Sequence, residues 1–295
     1  MKTNIKTAKY LLGSVVCAGA LLTAAGASAQ NLFVSDFSAN NIYEYTPGGT
    51  QSIFASGMNN PFDIAFNAAG NLFVANTADN GPGGSITEIT RGGTQSTFAS
   101  GLDPIAMDFY GNTLFTADYS SGNIYEFTPS GMRSTFATGF TTPISMTFDS
   151  AGDMFVGSGY GNGNGIITKI TPGGTKSLFA SGLSFPGGMT FNGAGNLLVT
   201  EQGSGTILQY TPGGVQSTFA NLNYSGLNCL AYNSAGDLFV AVPTGPIVEI
   251  TPNGGQSVFA TVSAPVGVAF QPVPEPSVMA LGALGAVAFF ARRRK

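Results

Sequence analysis

Four polar side chains stand at the same point of a recurring pattern, where their oxygen atoms could hold a metal ion. Asp36, Asn76, Asp118 and Glu201 each end a short apolar run, and Asp63 lies inside another. Calcium binds six to eight oxygen ligands, so these five residues are candidate calcium ligands. The alternative is that Asp and Asn cap turns by accepting nearby backbone N–H groups. Recurrence with the repeat favours capping, and Glu201 is the main departure from it.

Groups that carry acid–base or nucleophilic catalysis are scarce. The chain contains no histidine, which is the usual base near neutral pH. Of its two cysteines, only Cys229 lies beyond residue 29, so no disulfide can form within that part. A cysteine on an apolar strand without a basic partner stays a protonated, inert thiol. We predict no catalytic residue and no cofactor other than calcium, and the metal and any enzymatic activity are left open.

The charge balance excludes nucleic acid as a partner. Between residues 30 and 274, four Lys and Arg residues face 14 Asp and Glu residues. Nucleic-acid binding needs a basic face that meets the phosphates. The acidity is instead typical of a protein that stays soluble through its net charge.

The candidate ligands are positioned by a hairpin that repeats along the chain. Residues 61–76 read PFDIAFNAAGNLFVAN, two apolar runs joined by a turn whose Asn and Gly favour tight hairpins. Matching turns recur every 41 to 43 residues, at Gly70, Gly111, Gly152, Gly195 and Gly236. A second hairpin fills each interval, usually around a Pro-Gly-Gly turn. Four short strands in a repeat of about forty residues are typical of a propeller blade.

The two ends of the repeat array complement each other. The array begins on Leu32-Phe33-Val34, which matches a second strand without a first, and it ends on Pro265–Phe270, a first strand without a second. Joining them removes sheet edges that would invite aggregation. We therefore predict an all-β, six-bladed β-propeller over residues 30–272. Its four-stranded blades are closed by one C-terminal and three N-terminal strands.

Residues 1–29 have the pattern of a secretory signal peptide. Lys2, Lys6 and Lys9 precede an apolar stretch, and Ala27-Ser28-Ala29 is a small-residue cleavage site. We expect export of the chain and a mature protein that begins near Gln30. The alternative for this segment is a permanent membrane anchor.

The last 23 residues, 273–295, change character sharply. Val273-Pro274-Glu275-Pro276 is followed by fifteen uncharged residues, Ser277–Ala291, and then by Arg292-Arg293-Arg294-Lys295. Fifteen residues make a short transmembrane helix, and the basic cluster would hold its end on the cytoplasmic side. The sequence predicts a transient membrane association through this helix, with an ordinary single-span anchor as the alternative.

This tail resembles the PEP-CTERM sorting signal of Gram-negative bacteria, which consists of a Pro-Glu-Pro motif, a short apolar helix and a basic terminus. The resemblance implies export, recognition by an exosortase-type enzyme and cleavage near Pro274–Pro276. It further implies display on the outer surface, or release, in an exopolysaccharide-rich cell envelope.

The repeats resemble NHL-type six-bladed propellers, through the pattern Pro-x-x-Ile-Ala-Phe, turn, Gly-Asn-Leu-Phe-Val-Ala-Asn. Related propellers include gluconolactonase-type lactonases, which hold a divalent cation with Glu, Asn and Asp, and streptogramin lyases, which depend on a histidine. Fold alone does not decide function. We expect a non-catalytic binding or scaffold module for envelope polysaccharide or another envelope protein. The alternative is a metal-dependent, lactonase-like hydrolase.

Tyrosines on the strands and loops could stack on sugars, which would suit an exopolysaccharide ligand. Ordinary packing between blades is the alternative, because Tyr is enriched in strands. The tyrosines concerned are Tyr43, Tyr45, Tyr119, Tyr125, Tyr160, Tyr210 and Tyr224.

Overall fold

A computed structural model describes residues 30–78, 81–159 and 163–272. The predicted signal peptide, 1–29, and the predicted sorting tail, 273–295, lie outside the described residues. No helix within the described ranges is long and apolar enough to cross a bilayer.

All regular secondary structure of the described residues is β-strand. In chain order these are β1 (Leu32–Asp36), β2 (Asn41–Tyr45), β3 (Gln51–Ser56), β4 (Pro61–Phe66), β5 (Leu72–Ala78), β6 (Gly81–Ile89), β7 (Gln95–Leu102), β8 (Pro104–Tyr110), β9 (Thr113–Asp118), β10 (Asn123–Phe127), β11 (Arg133–Ala137), β12 (Pro143–Phe148), β13 (Met154–Ser158), β14 (Gly165–Ile170), β15 (Lys176–Leu183), β16 (Pro186–Phe191), β17 (Leu197–Glu201), β18 (Thr206–Tyr210), β19 (Gln216–Asn221), β20 (Leu230–Tyr232), β21 (Leu238–Ala241), β22 (Pro246–Ile250), β23 (Gln256–Thr261) and β24 (Pro265–Phe270).

The strands pair into six antiparallel four-stranded sheets, which are the blades of a propeller. Blades 1 to 5 are β4–β7, β8–β11, β12–β15, β16–β19 and β20–β23, and blade 6 is β24-β1-β2-β3. The first strands of neighbouring blades contact one another, so β4, β8, β12, β16, β20 and β24 surround the central axis.

The predicted closure is confirmed, because β24 pairs with β1 in blade 6. Leu32 lies opposite Phe270, and Val34 lies opposite Val268. The first and last strands of the described residues thus share one sheet, which leaves every innermost strand paired.

The turns within blades follow from their residue types. Between β4 and β5, Gly70 has φ 82° and donates its N–H to Asn67 O at 2.9 Å. Asn67 Oδ1 also accepts Asn71 N at 2.9 Å. Only glycine adopts such a φ without strain, and the Asn side chain closes the turn from inside. The same device, with Asn or Asp in the role of Asn67, recurs at Gly152, Gly195 and Gly236, whereas Gly111 lies in a shorter turn between Tyr110 and Thr113.

The core of the described residues consists of six apolar clusters, one between each pair of neighbouring blades. Phe73 is typical, because its ring lies edge-to-face with Phe98 of its own blade at 5.0 Å and with Phe109 of the next blade at 5.1 Å. Such pairs contribute about 0.5–1.5 kcal/mol beyond their buried area. In blade 4 Leu198 takes the matching place in its cluster. The blades are thus held together by a repeated aromatic contact with one aliphatic exception.

Candidate axial site

The first strands surround a cavity of about 560 Å³ on the propeller axis. Five of the six residues that the repeat alignment places innermost lie on its wall: Asp63, Ala106, Ser145, Gly188 and Cys229. Residues two positions further along each first strand also line it, because alternate residues of a strand face the same side. The cavity size falls within the range of small-ligand pockets.

Asp63 is buried in this wall, with 8% of its surface exposed. Its Oδ2 accepts Met107 N at 2.6 Å, and its Oδ1 accepts Ile64 N at 2.9 Å and the Cys229 thiol at 3.4 Å. Burial raises the pKa of Asp63 to about 6, although these hydrogen bonds favour the charged form. Its carboxyl group therefore titrates close to neutral pH.

Asp108 is a second cavity carboxyl group, which the repeat alignment missed. It occupies the position of Ala65, Thr147 and Ala231 in other blades and lines the same cavity. Burial raises the pKa of Asp108 to about 7, hydrogen bonds to Phe109, Thr147 and Phe148 oppose the rise, and the Asp63 charge adds to it. A lone carboxylate among Ala and Thr was the signal in the sequence.

Polar groups near the axis link every pair of neighbouring blades. Asp63 and Asp108 provide two of these links, each reaching the first strand of the next blade. From blade 6 onward the links are Ser35 Oγ to Phe62 O (2.5 Å), Met107 N to Asp63 Oδ2 (2.6 Å), Asp108 with Thr147, Ser145 Oγ to Pro186 O (2.7 Å), Thr200 Oγ1 to Asn228 O (3.1 Å) and Cys229 N to Val266 O (3.3 Å). Both carboxyl groups thus hold the propeller together as well as lining the cavity.

The four candidate ligands at the ends of second strands instead fasten the loops that lead into first strands. Asp36 Oδ2 accepts Ser263 N at 3.2 Å, and Asn76 Oδ1 accepts Asn59 N at 3.2 Å. In their own blades the other two make the matching contact: Asp118 Oδ2 accepts Asp103 N at 2.8 Å, and Glu201 Oε1 accepts Ser184 N at 2.9 Å. These oxygens are engaged with backbone N–H groups, as the capping alternative describes.

Glu201 makes the same loop contact as the shorter side chains, although it departs from the repeat. Its Oε2 also accepts the Ser204 hydroxyl at 3.1 Å. Among the described residues, no group of three or more His, Cys, Asp or Glu side chains could hold a metal ion. Asp36, Asp63, Asp118 and Glu201 are therefore not brought together around one point.

Cys229 lies half-buried on the cavity wall beside Asp63. Burial and the Asp63 charge raise the pKa of its thiol well above the usual value. Because the thiolate is the nucleophilic form, this environment makes Cys229 a poor nucleophile.

The strand tyrosines mostly serve packing. Tyr45 and Tyr210 are buried, with 2% of each side chain exposed, and Tyr45 meets the Phe259 ring at 5.8 Å. Tyr125 lies under the Arg133 guanidinium at 5.1 Å. Tyr224 is the only one of these four that is exposed.

Comparison with known proteins agrees with the predicted sorting tail and with the propeller fold. The model of the PEP-CTERM protein-sorting motif matches residues 272–295. No curated protein matches the sequence. A chain from the crystal structure of a nidogen/laminin complex superimposes with a TM-score of 0.70 at 16% identity, over 83% of this chain and 99% of that one. The crystal structure of virginiamycin B lyase from Staphylococcus aureus superimposes with a TM-score of 0.53 at 19% identity, over 68% of this chain and 69% of that one.

The solved structures and the motif match support different conclusions. At such identities the two solved structures show the shared propeller fold alone. The motif match shows that the chain ends in a PEP-CTERM sorting signal, which implies an exported protein directed to the cell envelope by an exosortase-type system.

Proposed function

We propose that this protein is a non-catalytic binding module of the cell envelope, whose ligand enters the axial cavity. The observation that carries the proposal is a cavity of about 560 Å³ in whose wall the Asp63 and Ser145 side chains are engaged in blade-to-blade links. The sorting motif at 272–295 supports a location in the cell envelope. A signal peptide over residues 1–29 would start the export.

The chemistry of the cavity wall favours an uncharged, hydroxyl-rich ligand. The described residues that line it include Asp63 and Asp108 but no Lys or Arg. Such a wall repels anions and offers carboxyl and backbone groups to hydroxyls. An end of a neutral envelope polysaccharide fits this description. Another envelope protein, held on the outer surface of the propeller, is the second partner class.

The hydrolase alternative rests on one specific observation. Asp63 and Asp108 share a cavity and have pKa values of about 6 and about 7, and perturbed carboxyl groups in clefts are candidate acids and bases. For a calcium-dependent, lactonase-like enzyme, the candidate ligands would first have to release their backbone partners. The lyase chemistry in the name of the Staphylococcus protein is not proposed, because related lyases need a histidine and this chain has none.

Ligand binding is tested by filling the cavity. Thr190 lines the cavity, whereas Thr218 is exposed on the outer strand of the same blade. Calorimetric titration of the propeller with oligosaccharides from the host envelope should show binding that Thr190→Tyr abolishes and Thr218→Tyr leaves intact. Equal binding by both variants would place the ligand elsewhere.

The sorting role is tested in the producing cell. Removing residues 273–295 should send the folded propeller into the medium without changing its melting temperature, because β24 already closes blade 6. A truncated protein that stays in the envelope would contradict the sorting role of the tail.

A further inference from the structure

The chain leaves the propeller at the mouth of the axial cavity. Gln30 and Pro272, which bound the described end of the propeller, both line that cavity. Gln30 Nε2 donates to Gln271 O at 3.0 Å, and Gln30 Oε1 accepts Ser234 N at 2.8 Å. Gln271 N donates to Asn31 O at 3.2 Å. These contacts hold the exit point against the rim.

The mouth lies at one end of the axis. The turn residues Asn67 and Ala68, which follow a first strand, line the cavity together with the chain ends. Of the described residues in the loops that precede first strands, only Cys229, directly before β20, contributes to the lining. At that opposite end, Gln202 Nε2 donates to Asn228 Oδ1 at 2.6 Å, and Asn228 is buried. A ligand therefore enters from the side on which the tail departs.

The sorting tail begins without a spacer. Only residues 273–276 separate Pro272 from the uncharged run Ser277–Ala291. The five residue steps from Pro272 to Ser277 span at most about 18 Å when fully extended. When the uncharged run enters a bilayer, the cavity mouth is held within that distance of the lipid surface.

We propose that the bilayer covers the mouth of the axial cavity while the tail is intact, and that cleavage within residues 274–276 opens the cavity to its ligand. Processing of the tail thus activates the binding module as well as releasing it. The inference rests on the proposed function, because a covered mouth matters only if the ligand enters the axial cavity.

A cysteine reporter at the mouth tests this in the mature chain, residues 30–295, bound to lipid vesicles. Ala68 is exposed on the rim, and Ser38 is exposed on the β1–β2 loop at the opposite end of the axis. Ala68→Cys and Ser38→Cys are each placed in a Cys229→Ala background, which removes the only other thiol of this part of the chain. The probe is a bulky, membrane-impermeant maleimide.

The matched control is a longer tether. A twenty-residue Gly/Ser insertion between Pro272 and Val273 adds a mean reach of about 25 Å and keeps the tail. Labelling rate scales with the accessible fraction, so a mouth exposed about a tenth of the time reacts about tenfold more slowly. We expect Ala68→Cys to label at least that much faster with the insertion, and Ser38→Cys to label equally with and without it.

The outcomes separate the two proposals. Equal labelling of Ala68→Cys with and without the insertion, in protein that floats with the vesicles, would overturn the masking and leave the proposed function standing. Protein that fails to float with vesicles would also overturn the masking, because the tail would not enter a membrane, whereas the proposed function fails only if the Thr190→Tyr titration shows no loss of binding.

Discussion

The carboxylate of Asp63 on β4 accepts the backbone N–H of Met107 on β8 at 2.6 Å, across the junction between blades 1 and 2. The contact joins two first strands that no sheet ladder connects. It also places a buried carboxyl group on the cavity wall, where burial raises its pKa to about 6. One side chain thus contributes to assembly, to cavity chemistry and to pH dependence.

The first prediction concerns stability against pH. Asp63 and Asp108 have folded-state pKa values of about 6 and about 7, above the ordinary 3.8. The folded state therefore binds protons more tightly than the unfolded state does. The resulting contribution to the free energy of unfolding is complete below about pH 3.8 and is lost as the pH rises through 6 and 7. Asp108→Asn should reduce the fall in the free energy of unfolding between pH 5 and pH 8 by roughly 1–3 kcal/mol.

Urea unfolding at a series of pH values measures this effect. Glu249→Gln, outside the cavity, is the control and should leave the slope unchanged. A pH profile that Asp108→Asn does not alter would contradict the environment assigned to Asp108.

The second prediction concerns the aromatic contact between blades. Phe73→Ala should lower the free energy of unfolding by about 3–5 kcal/mol, because it leaves a cavity between Phe98 and Phe109. Phe73→Leu should cost much less, since Leu198 fills the matching place in blade 4. Chemical denaturation of both variants measures the difference. Equal losses would contradict the prediction, because they would show that an aliphatic side chain cannot replace the aromatic ring at this position.

The third prediction concerns closure of the ring. Deleting residues 265–295 removes β24 and exposes the edge of β1, so the truncated protein should lose its cooperative melting transition. The control deletion, 273–295, keeps β24 and should melt like the mature chain. If the two deletions melt alike, blade 6 does not close the fold in the way its pairing indicates.

The fourth prediction concerns calcium. The oxygens of Asp36, Asp118 and Glu201 already accept backbone N–H groups, so neither calcium nor a chelator should shift the melting temperature. Asp118→Asn should lower stability by about 1 kcal/mol through the weakened loop contact, equally with and without calcium. A calcium-dependent rise in melting temperature that Asp118→Asn removes would instead establish a metal site.

The repeat made the fold predictable, and the site was predictable only in part. Turn glycines such as Gly70 and the unmatched strand 265–270 specify blades and closure, because each encodes a local constraint. Asp108 was missed because the sequence alone does not give the register of β8, and that register decides which of its residues face the axis. Glu201 drew attention as a departure from the repeat, yet its longer side chain reaches the same loop contact as Asp118.

The most direct test of the binding-module account is a turnover assay on the purified propeller against a panel of lactones and esters, with calcium, manganese and zinc supplied in turn. The account predicts no hydrolysis above the protein-free rate at any pH between 5 and 8. Hydrolysis well above that rate, abolished by Asp108→Asn or Glu201→Gln while the variant remains folded, would contradict it and establish a hydrolase.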